Sequence, residues 1–468
     1  NIVLIMADDV SPDLFSCFDA LTPHGAEASG RTPNVDRFVE NGVVFKTAYA
    51  SAMCAPSRVQ IMTGKYGHTT GCLQNGLWMA DCKENVYRNH LAFGKMLRDA
   101  GYATAIAGKW HAGHQMPYEP EVGFDEYCLW EGAKEVLKAT GTPLAKSACA
   151  WEDEKTPSRY WHPCLVRNGK LLKAKPTDFG PDLCADFICD FIERQTKAGK
   201  PFLAYWPTVS PHGTRTGCPS NPLRGEPGDM GARGNKDGAE RFRSLNEHLD
   251  STIGKVRDTI RKLGIEDNTL LVFCSDNGTA VTAKTRGVER GCHVLFMAEG
   301  AGIKPRGLTD ELMDFSDIAP TMAAFAGASP VQEVPFDGIN LKPFLTGKTN
   351  RTKPLIYGFI STSQLVRSHD HLLEVFNPLL GVPDGRFYYT GGNRFWQGYE
   401  RADRNPEHAS AKKRFLALLE KYPAVTRDHS HWSTRSGKKF LDNYAGEKER
   451  TKHLHNHRDY ALYDETID

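Results

Sequence analysis

The chain has 468 residues, 58 Lys+Arg against 57 Asp+Glu, 40% hydrophobic and 25% charged. So even a charge balance leaves no basic excess to neutralise phosphates, which excludes nucleic acid as an expected partner. No apolar run approaches the ~20 residues of a membrane span, and a chain this long buries a large core without disulfide staples.

The first element is the apolar run NIVLIM, read as a strand buried on both faces and ending on Asp8 and Asp9. Cys54-Ala55-Pro56-Ser57-Arg58 then runs into VQIMTGKYGHTTG, a helix start that places Cys54 where the helix dipole and a nearby arginine favour an anion. Residues 92–100 read as a short amphipathic helix leading into the strand ATAIAG, which ends on Lys109, Trp110 and His111, with His114 just beyond. The strand PFLAYWP runs towards Ser210, Pro211 and His212. Residues 213–238, rich in Gly, Pro and Arg, are too polar for a core and are expected as a long functional loop carrying Arg215, Arg224 and Arg233. A helix follows over residues 242–263, with Leu245, Leu249, Ile253, Val256 and Ile260 on one stripe. TLLVFCS is the next strand; it ends on Asp276 and Asn277, and Lys284 follows.

This alternation predicts an α/β fold over residues 1–345, a large doubly wound mixed or parallel sheet flanked by helices. Ligands of such sheets bind beyond the carboxyl ends of the strands, where Asp8, Asp9, Lys109, His212, Asp276 and Asn277 all fall. After about residue 345, SQLVRSHDHLLEVF and DGRFYYTGG read as antiparallel strands and AKKRFLALLEKY as a helix. Residues 346–468 are therefore expected as a smaller C-terminal α+β domain that completes the substrate pocket.

Asp8, Asp9, Asp276 and Asn277 offer oxygen donors, a set suited to a hard cation such as Ca²⁺ or Mg²⁺ rather than zinc. Taken alone, Asp8-Asp9 fits a turn or helix cap equally well. The twelve cysteines are too dispersed for a CxxC knuckle. With a chain that opens on a strand rather than on Met, they fit a secreted or periplasmic protein whose signal peptide is removed, or a trimmed domain edge. Of two N-x-T sequons, at Asn277 and Asn350, only Asn350 is expected at the surface.

The motifs resemble those of the formylglycine-dependent (type I) sulfatases of the alkaline-phosphatase superfamily. Residues 54–58 match the C-x-P-S-R element that directs oxidation of the cysteine to formylglycine. Residues 101–111 match G-Y-x-[ST]-x-x-x-G-K-x-H at every fixed position. Asp-Asp at the start, Ser-Pro-His, and Ser-Asp-Asn-Gly followed by a lysine extend the likeness over about residues 1–340. The resemblance implies a sulfuric ester hydrolase with Ca²⁺, Mg²⁺ being the alternative, held by Asp8, Asp9, Asp276, Asn277 and the modified residue 54. It implies attack on sulfur by one hydroxyl of a formylglycine hydrate, and expulsion of inorganic sulfate as the second hydroxyl collapses to a carbonyl. Arg58 and Lys109 would hold the modified residue and the sulfate, His111 would be the base for the collapse, and His212 and Lys284 would face the leaving oxygen, His212 as proton donor. A formylglycine-generating maturation enzyme is the implied partner, with the lysosome as the alternative to export. The pattern departs after Lys284, where His293 and Leu295 replace the usual arginine and proline, and Arg286 is the substitute candidate for Lys284.

Forked hydrogen bonding by Arg215 and Arg224, with His114 and Arg286, suits an anionic saccharide, so a sulfated poly- or oligosaccharide is the expected substrate. Trp110 and Trp206 either stack on a sugar ring or belong to the core. Four other readings stay open: a phosphonate or phosphodiester hydrolase with the same formylglycine, an arylsulfatase of small esters, a silent glycan-binding protein, and a cysteine hydrolase using unmodified Cys54.

Overall fold

A computed structural model describes residues 1–22, 30–75, 77–78, 82–141, 158–212, 218–219, 238–279, 284, 287–329, 335–360, 363–375, 386–395 and 398–422. Six apolar residues in a row form the central strand Ile2–Ala7, and every one is buried. Its alternate residues serve opposite layers. Val3, Ile5 and Ala7 pack with Phe187, Ile188 and Phe191 of the helix Gly180–Lys197 and with Leu249, Ile253, Val256 and Ile260 of the helix Gly238–Lys262. Ile2, Leu4 and Met6 pack with Val59 and Met62 of the helix Cys54–Thr63, and with Phe93 and Leu97 of the helix Phe93–Asp99. A strand covered on both faces gains about 1.5–3 kcal/mol for each large apolar side chain, which is why its sequence reads as an unbroken run rather than an alternation.

Ile2–Ala7 pairs in parallel with Leu270–Ser275 on one side and Phe202–Pro207 on the other. Ala103–Gly108 adds in parallel to Phe202–Pro207, and Glu126–Leu129 to Ala103–Gly108. Beyond Leu270–Ser275 the sheet turns mixed: Phe296–Glu299 is antiparallel to it, Gly42–Tyr49 is antiparallel to Phe296–Glu299, and Gly307–Asp314 runs parallel to Gly42–Tyr49. With eleven strands among the described residues, this is the expected mixed, doubly wound α/β sheet with helices on both faces.

A second sheet of five antiparallel strands follows: Ile356–Ile360, Ser363–Arg367, His371–Val375, Arg386–Tyr389 and Glu400–Arg401. Phe415 of the helix Ala409–Lys421 packs with Val366, Leu373 and Phe387 of its strands. The second sheet meets the first at the segment before Cys54, where Ser51 forms a parallel bridge with Phe359. No helix among the described residues is long and apolar enough to cross a membrane.

Candidate active site

Four neighbouring parallel strands end side by side, and each delivers polar residues at its carboxyl end. Leu270–Ser275 leads to Asp276 and Asn277, Ile2–Ala7 to Asp8 and Asp9, Phe202–Pro207 to His212, and Ala103–Gly108 to Lys109 and His111. The ends are locked in register by backbone bonds: Lys109 N–H donates to Pro207 O at 2.7 Å, Asp8 N–H to Ser210 O at 3.0 Å and Asp276 N–H to Ala7 O at 3.1 Å. Gly108 is what permits the first of these. It sits at φ +118°, and a Cβ there would stand 2.1 Å from Pro207 O. Asp9 and His111 also hold positive φ, at 60° and 45°, a cost that non-glycine residues carry mainly where a site fixes them.

Cys54 opens the helix Cys54–Thr63 and is 1% exposed. The helix start is fixed by Ser57 Oγ donating to Ser51 O at 2.9 Å and by Ala55 N–H donating to Asn75 Oδ1 at 3.0 Å. The thiol faces Asp8 Oδ1 at 3.8 Å and Asp9 Oδ1 at 3.9 Å. Lys284 Nζ lies 3.0 Å from the same sulfur and 2.5 Å from Asp9 Oδ1. Burial pushes the Cys54 thiol up to about 12 despite the nearby Lys109. Unmodified, it is a protonated thiol at neutral pH and a poor nucleophile, which counts against cysteine-hydrolase chemistry.

Three carboxylates face three cations here. Arg58 donates to Asp276 Oδ2 from Nε at 3.1 Å and Nη2 at 2.8 Å, to Asp8 Oδ2 at 3.2 Å, and to Lys109 O at 2.9 Å. Lys109 Nζ lies 2.5 Å from Asp8 Oδ2. Burial opposes the charge on Asp8, but Lys109, His212, Arg58 and Lys284 together hold its carboxyl well below the ordinary range. For Asp9 and Asp276 the balance reverses: burial, then the Asp8 charge, raises both. Arg58 thus pairs with two carboxylates and one carbonyl.

Asn277 is fully buried and donates from Nδ2 to Asp9 Oδ1 at 2.8 Å and to Gly278 O at 2.8 Å. Its Oδ1 is buried with no protein partner. An orphaned amide oxygen beside three carboxylates is an acceptor set for a hard cation, so these residues fit Ca²⁺ or Mg²⁺. Donor atoms of Asp8, Asp9, Cys54 and His212 all lie within 4.8 Å of one another. The sulfur and nitrogen of that set would suit a softer metal. Asp276 and Asn277 tip the balance to oxygen. Burial of Asn277 also closes its sequon, whereas Asn350 is exposed.

His212 Nε2 stands 3.4 Å from Asp9 Oδ2, and burial lowers the ring to about 3 despite Asp8. Its backbone is held by the Tyr160 hydroxyl, which donates to His212 O at 2.7 Å and to Val209 O at 3.0 Å. Burial, then Lys109 and Arg58, hold His111 well below its ordinary value, and its Nδ1 has no protein partner.

Not every expected residue joins the cluster. His114 is exposed and pairs through Nδ1 with Glu84 at 3.2 Å. Trp110 and Trp206 are 2% and 0% exposed and belong to the two core layers, so neither is a stacking platform. His293, where the family has arginine, is a core residue: Nε2 pairs with Lys46 O at 2.7 Å and the ring stacks on Phe395. Arg215, Arg224, Arg233 and Arg286 lie outside the described residues. Two residues near the site went unrecognised in the sequence. Glu131, which accepts from Trp110 N–H at 2.9 Å, follows the short apolar run YCLW at the end of the strand Glu126–Leu129 and was findable by the same strand-end rule. Tyr160 carries no local signal.

The sequence profile of the family described as Sulfatase matches residues 1–328. N-acetylgalactosamine-6-sulfatase of Canis lupus familiaris is 28% identical over 386 residues, covering 76% of this chain and 68% of its own. Arylsulfatase A of Homo sapiens is 28% identical over 400 residues, covering 76% and 70%. Among solved structures, Ps i-CgsB in complex with k-i-k-neocarrahexaose is similar with a TM-score of 0.70 at 22% identity, over 94% of this chain and 96% of that one, a likeness of fold. With more than half of the sequence inside one family profile, the chain belongs to the sulfatase family, the sulfuric ester hydrolases of the alkaline-phosphatase superfamily.

Proposed function

We propose that this sulfatase removes the sulfate ester of a carbohydrate at residue 54. The observation that carries the reading is the position of Cys54, at a helix N-terminus, within 3.9 Å of two carboxylates and 3.0 Å of Lys284 Nζ. The saccharide reading is supported by the N-acetylgalactosamine-6-sulfatase relative and by the neocarrahexaose complex of the similar structure. A Cys164 disulfide fits a secreted or periplasmic setting.

With residue 54 converted to formylglycine and Ca²⁺ held by Asp8, Asp9, Asp276 and Asn277, the site would supply a hydroxyl nucleophile and a fixed positive charge facing sulfur. The chain's own residues do the rest. Lys109 and Lys284 bring ammonium groups to the sulfate oxygens, a preorganised electrostatic contribution in a water-poor pocket. Arg58 holds Asp8 and Asp276 in place. His111, neutral at ordinary pH, accepts a proton at residue 54. His212 Nε2 carries the proton for the leaving oxygen; an arriving anion offsets the burial that otherwise keeps the ring neutral. The test compares release of sulfate and of phosphate from matched nitrophenyl esters and from a sulfated oligosaccharide. Faster release of phosphate, or preference for the aryl sulfate over the oligosaccharide, overturns the reading.

A further inference from the structure

One buried carboxylate outside the reacting groups ties together the segments that deliver Cys54 and Lys284. Glu289 has no exposure. Its Oε1 accepts from the Tyr49 hydroxyl at 2.6 Å and from Arg367 Nη1 at 2.6 Å. Tyr49 ends the strand Gly42–Tyr49, whose continuation runs into the Cys54 helix. Arg367 ends the strand Ser363–Arg367 of the antiparallel sheet and is also fully buried. Glu289 N–H donates to Glu374 Oε1 of the same sheet at 2.8 Å. The next residue, Arg290, pairs with Asp13 at 3.1 Å, in the short 3₁₀ helix Pro12–Leu14 that follows Asp9. The approach to Cys54 is braced by that sheet as well, since Ser51 Oγ and Ala52 N–H both donate to Phe359 O, at 2.7 and 3.2 Å; Ala50 N–H donates to Cys292 O, at the end of the short helix Glu289–Cys292, at 2.9 Å.

We propose that Glu289 is a positioning residue for the reaction: its clamp on Tyr49 and Arg367 sets the approach of the Lys284 ammonium to residue 54. The inference rests on Lys284 acting on the sulfate, as proposed above. A buried ion pair is a weak source of net stability, because desolvating both charges offsets most of their attraction. What it does supply is geometry. Lys284 is a long side chain whose aim depends on where its backbone is held, and a misplacement of about 1 Å at a reacting centre costs on the order of 10²-fold in rate. Glu289 lies five residues on in the sequence and is anchored to Tyr49, at the end of the strand that leads to the Cys54 helix.

The test is a double-mutant cycle between Tyr49→Phe and Lys284→Ala. Tyr49→Phe keeps the ring and removes one hydrogen bond to Glu289, so the fold is retained. We expect it to lower kcat/KM on p-nitrophenyl sulfate about tenfold in the parent and less than about twofold in the Lys284→Ala background. An equal loss in both backgrounds means a merely structural role and overturns the proposal, as does no loss in the parent. Glu289→Gln is the stronger variant and is expected to follow the same pattern; where it fails to fold, Tyr49→Phe decides. The cycle is repeated on the affinity for inorganic sulfate, measured by calorimetry, which requires no turnover. A parent protein that hydrolyses no sulfate ester sinks the proposed function, whereas the Tyr49–Lys284 coupling in sulfate binding stands or falls on its own.

Discussion

Arg58 reaches one oxygen of Asp276 with two of its donors, Nε at 3.1 Å and Nη2 at 2.8 Å, and neither side chain is more than 1% exposed. A guanidinium fork buried against two carboxylates has no water to fall back on, so the arrangement survives only while every partner is present. Arg58→Ala is expected to destabilise the protein by about 3–5 kcal/mol, because Asp8 and Asp276 would keep buried charge with one cation fewer. Arg58→Lys should rescue little, since a single ammonium cannot reproduce the fork. Denaturant midpoints of the two variants check this; an unchanged midpoint for Arg58→Ala contradicts it.

Cys54→Ala should abolish turnover and leave the fold intact, because its helix start is held by Ser57 and Asn75 rather than by the thiol. Cys54→Ser should be almost as inactive, since one hydroxyl cannot form a self-cleaving hydrate. Mass spectrometry of the peptide containing residue 54 should find a loss of ~18 Da, the exchange of CH₂SH for CHO. A near-normal rate in Cys54→Ala would remove the central assignment.

Chelation should abolish activity and Ca²⁺ or Mg²⁺, but not Zn²⁺, should restore it. Added Ca²⁺ should also raise the thermal midpoint, by about 2.7 kcal/mol of stabilisation at a hundredfold excess over Kd. Asn277→Ala, which removes the orphaned amide oxygen, should weaken that shift. Full activity after exhaustive metal removal, checked by elemental analysis, is the adverse result.

His212→Asn should cost most where the leaving group most needs a proton. A sugar alcohol is a far poorer leaving group than nitrophenol, so the loss should approach about 10²–10⁴-fold on a sulfated saccharide and be much smaller on nitrophenyl sulfate. Equal losses on both substrates would remove His212 from the proton-donor role.

Glu131 offers a pH signature. Burial raises its carboxyl from 4.5 to about 7, and its Oε2 is sealed from water without a protein donor, although the residue as a whole is only half-buried. Because the folded value exceeds the unfolded one, the stability it contributes is full below pH 4.5 and is lost as pH rises through about 7. Glu131→Gln keeps the acceptor for Trp110 N–H and cannot ionise. Its stability relative to the parent should therefore climb across that window; a constant difference would contradict the assignment.

The strands that build the site were legible because burial on both faces forces contiguous apolar runs, and each run stops where the chain turns polar, at Asp8, Lys109 and Asp276. Cys54 and Lys284 were reached through motif spacing and His212 through its place at a strand end, and the structure gathers all three. The two tryptophans illustrate what a sequence withholds. An indole beside a catalytic residue can face a ligand or the core, and only packing decides; both proved to be core. Departure from a motif was equally opaque: His293 replaces an arginine and is satisfied by a carbonyl of Lys46, a partner 247 positions away. Tyr160 and the Glu289 clamp were invisible for the same reason, since their partners are remote along the chain.

The central strand Ile2–Ala7 has its two neighbours at Phe202–Pro207 and Leu270–Ser275. During synthesis its six apolar residues wait for partners made some two hundred residues later, about 10–40 s at the usual pace of about 5–20 residues per second. Throughout that interval they are an unpaired, β-prone hydrophobic segment of the kind that seeds aggregation. Heterologous yield should therefore depend on chaperone capacity and translation speed more than on the stability of the finished fold.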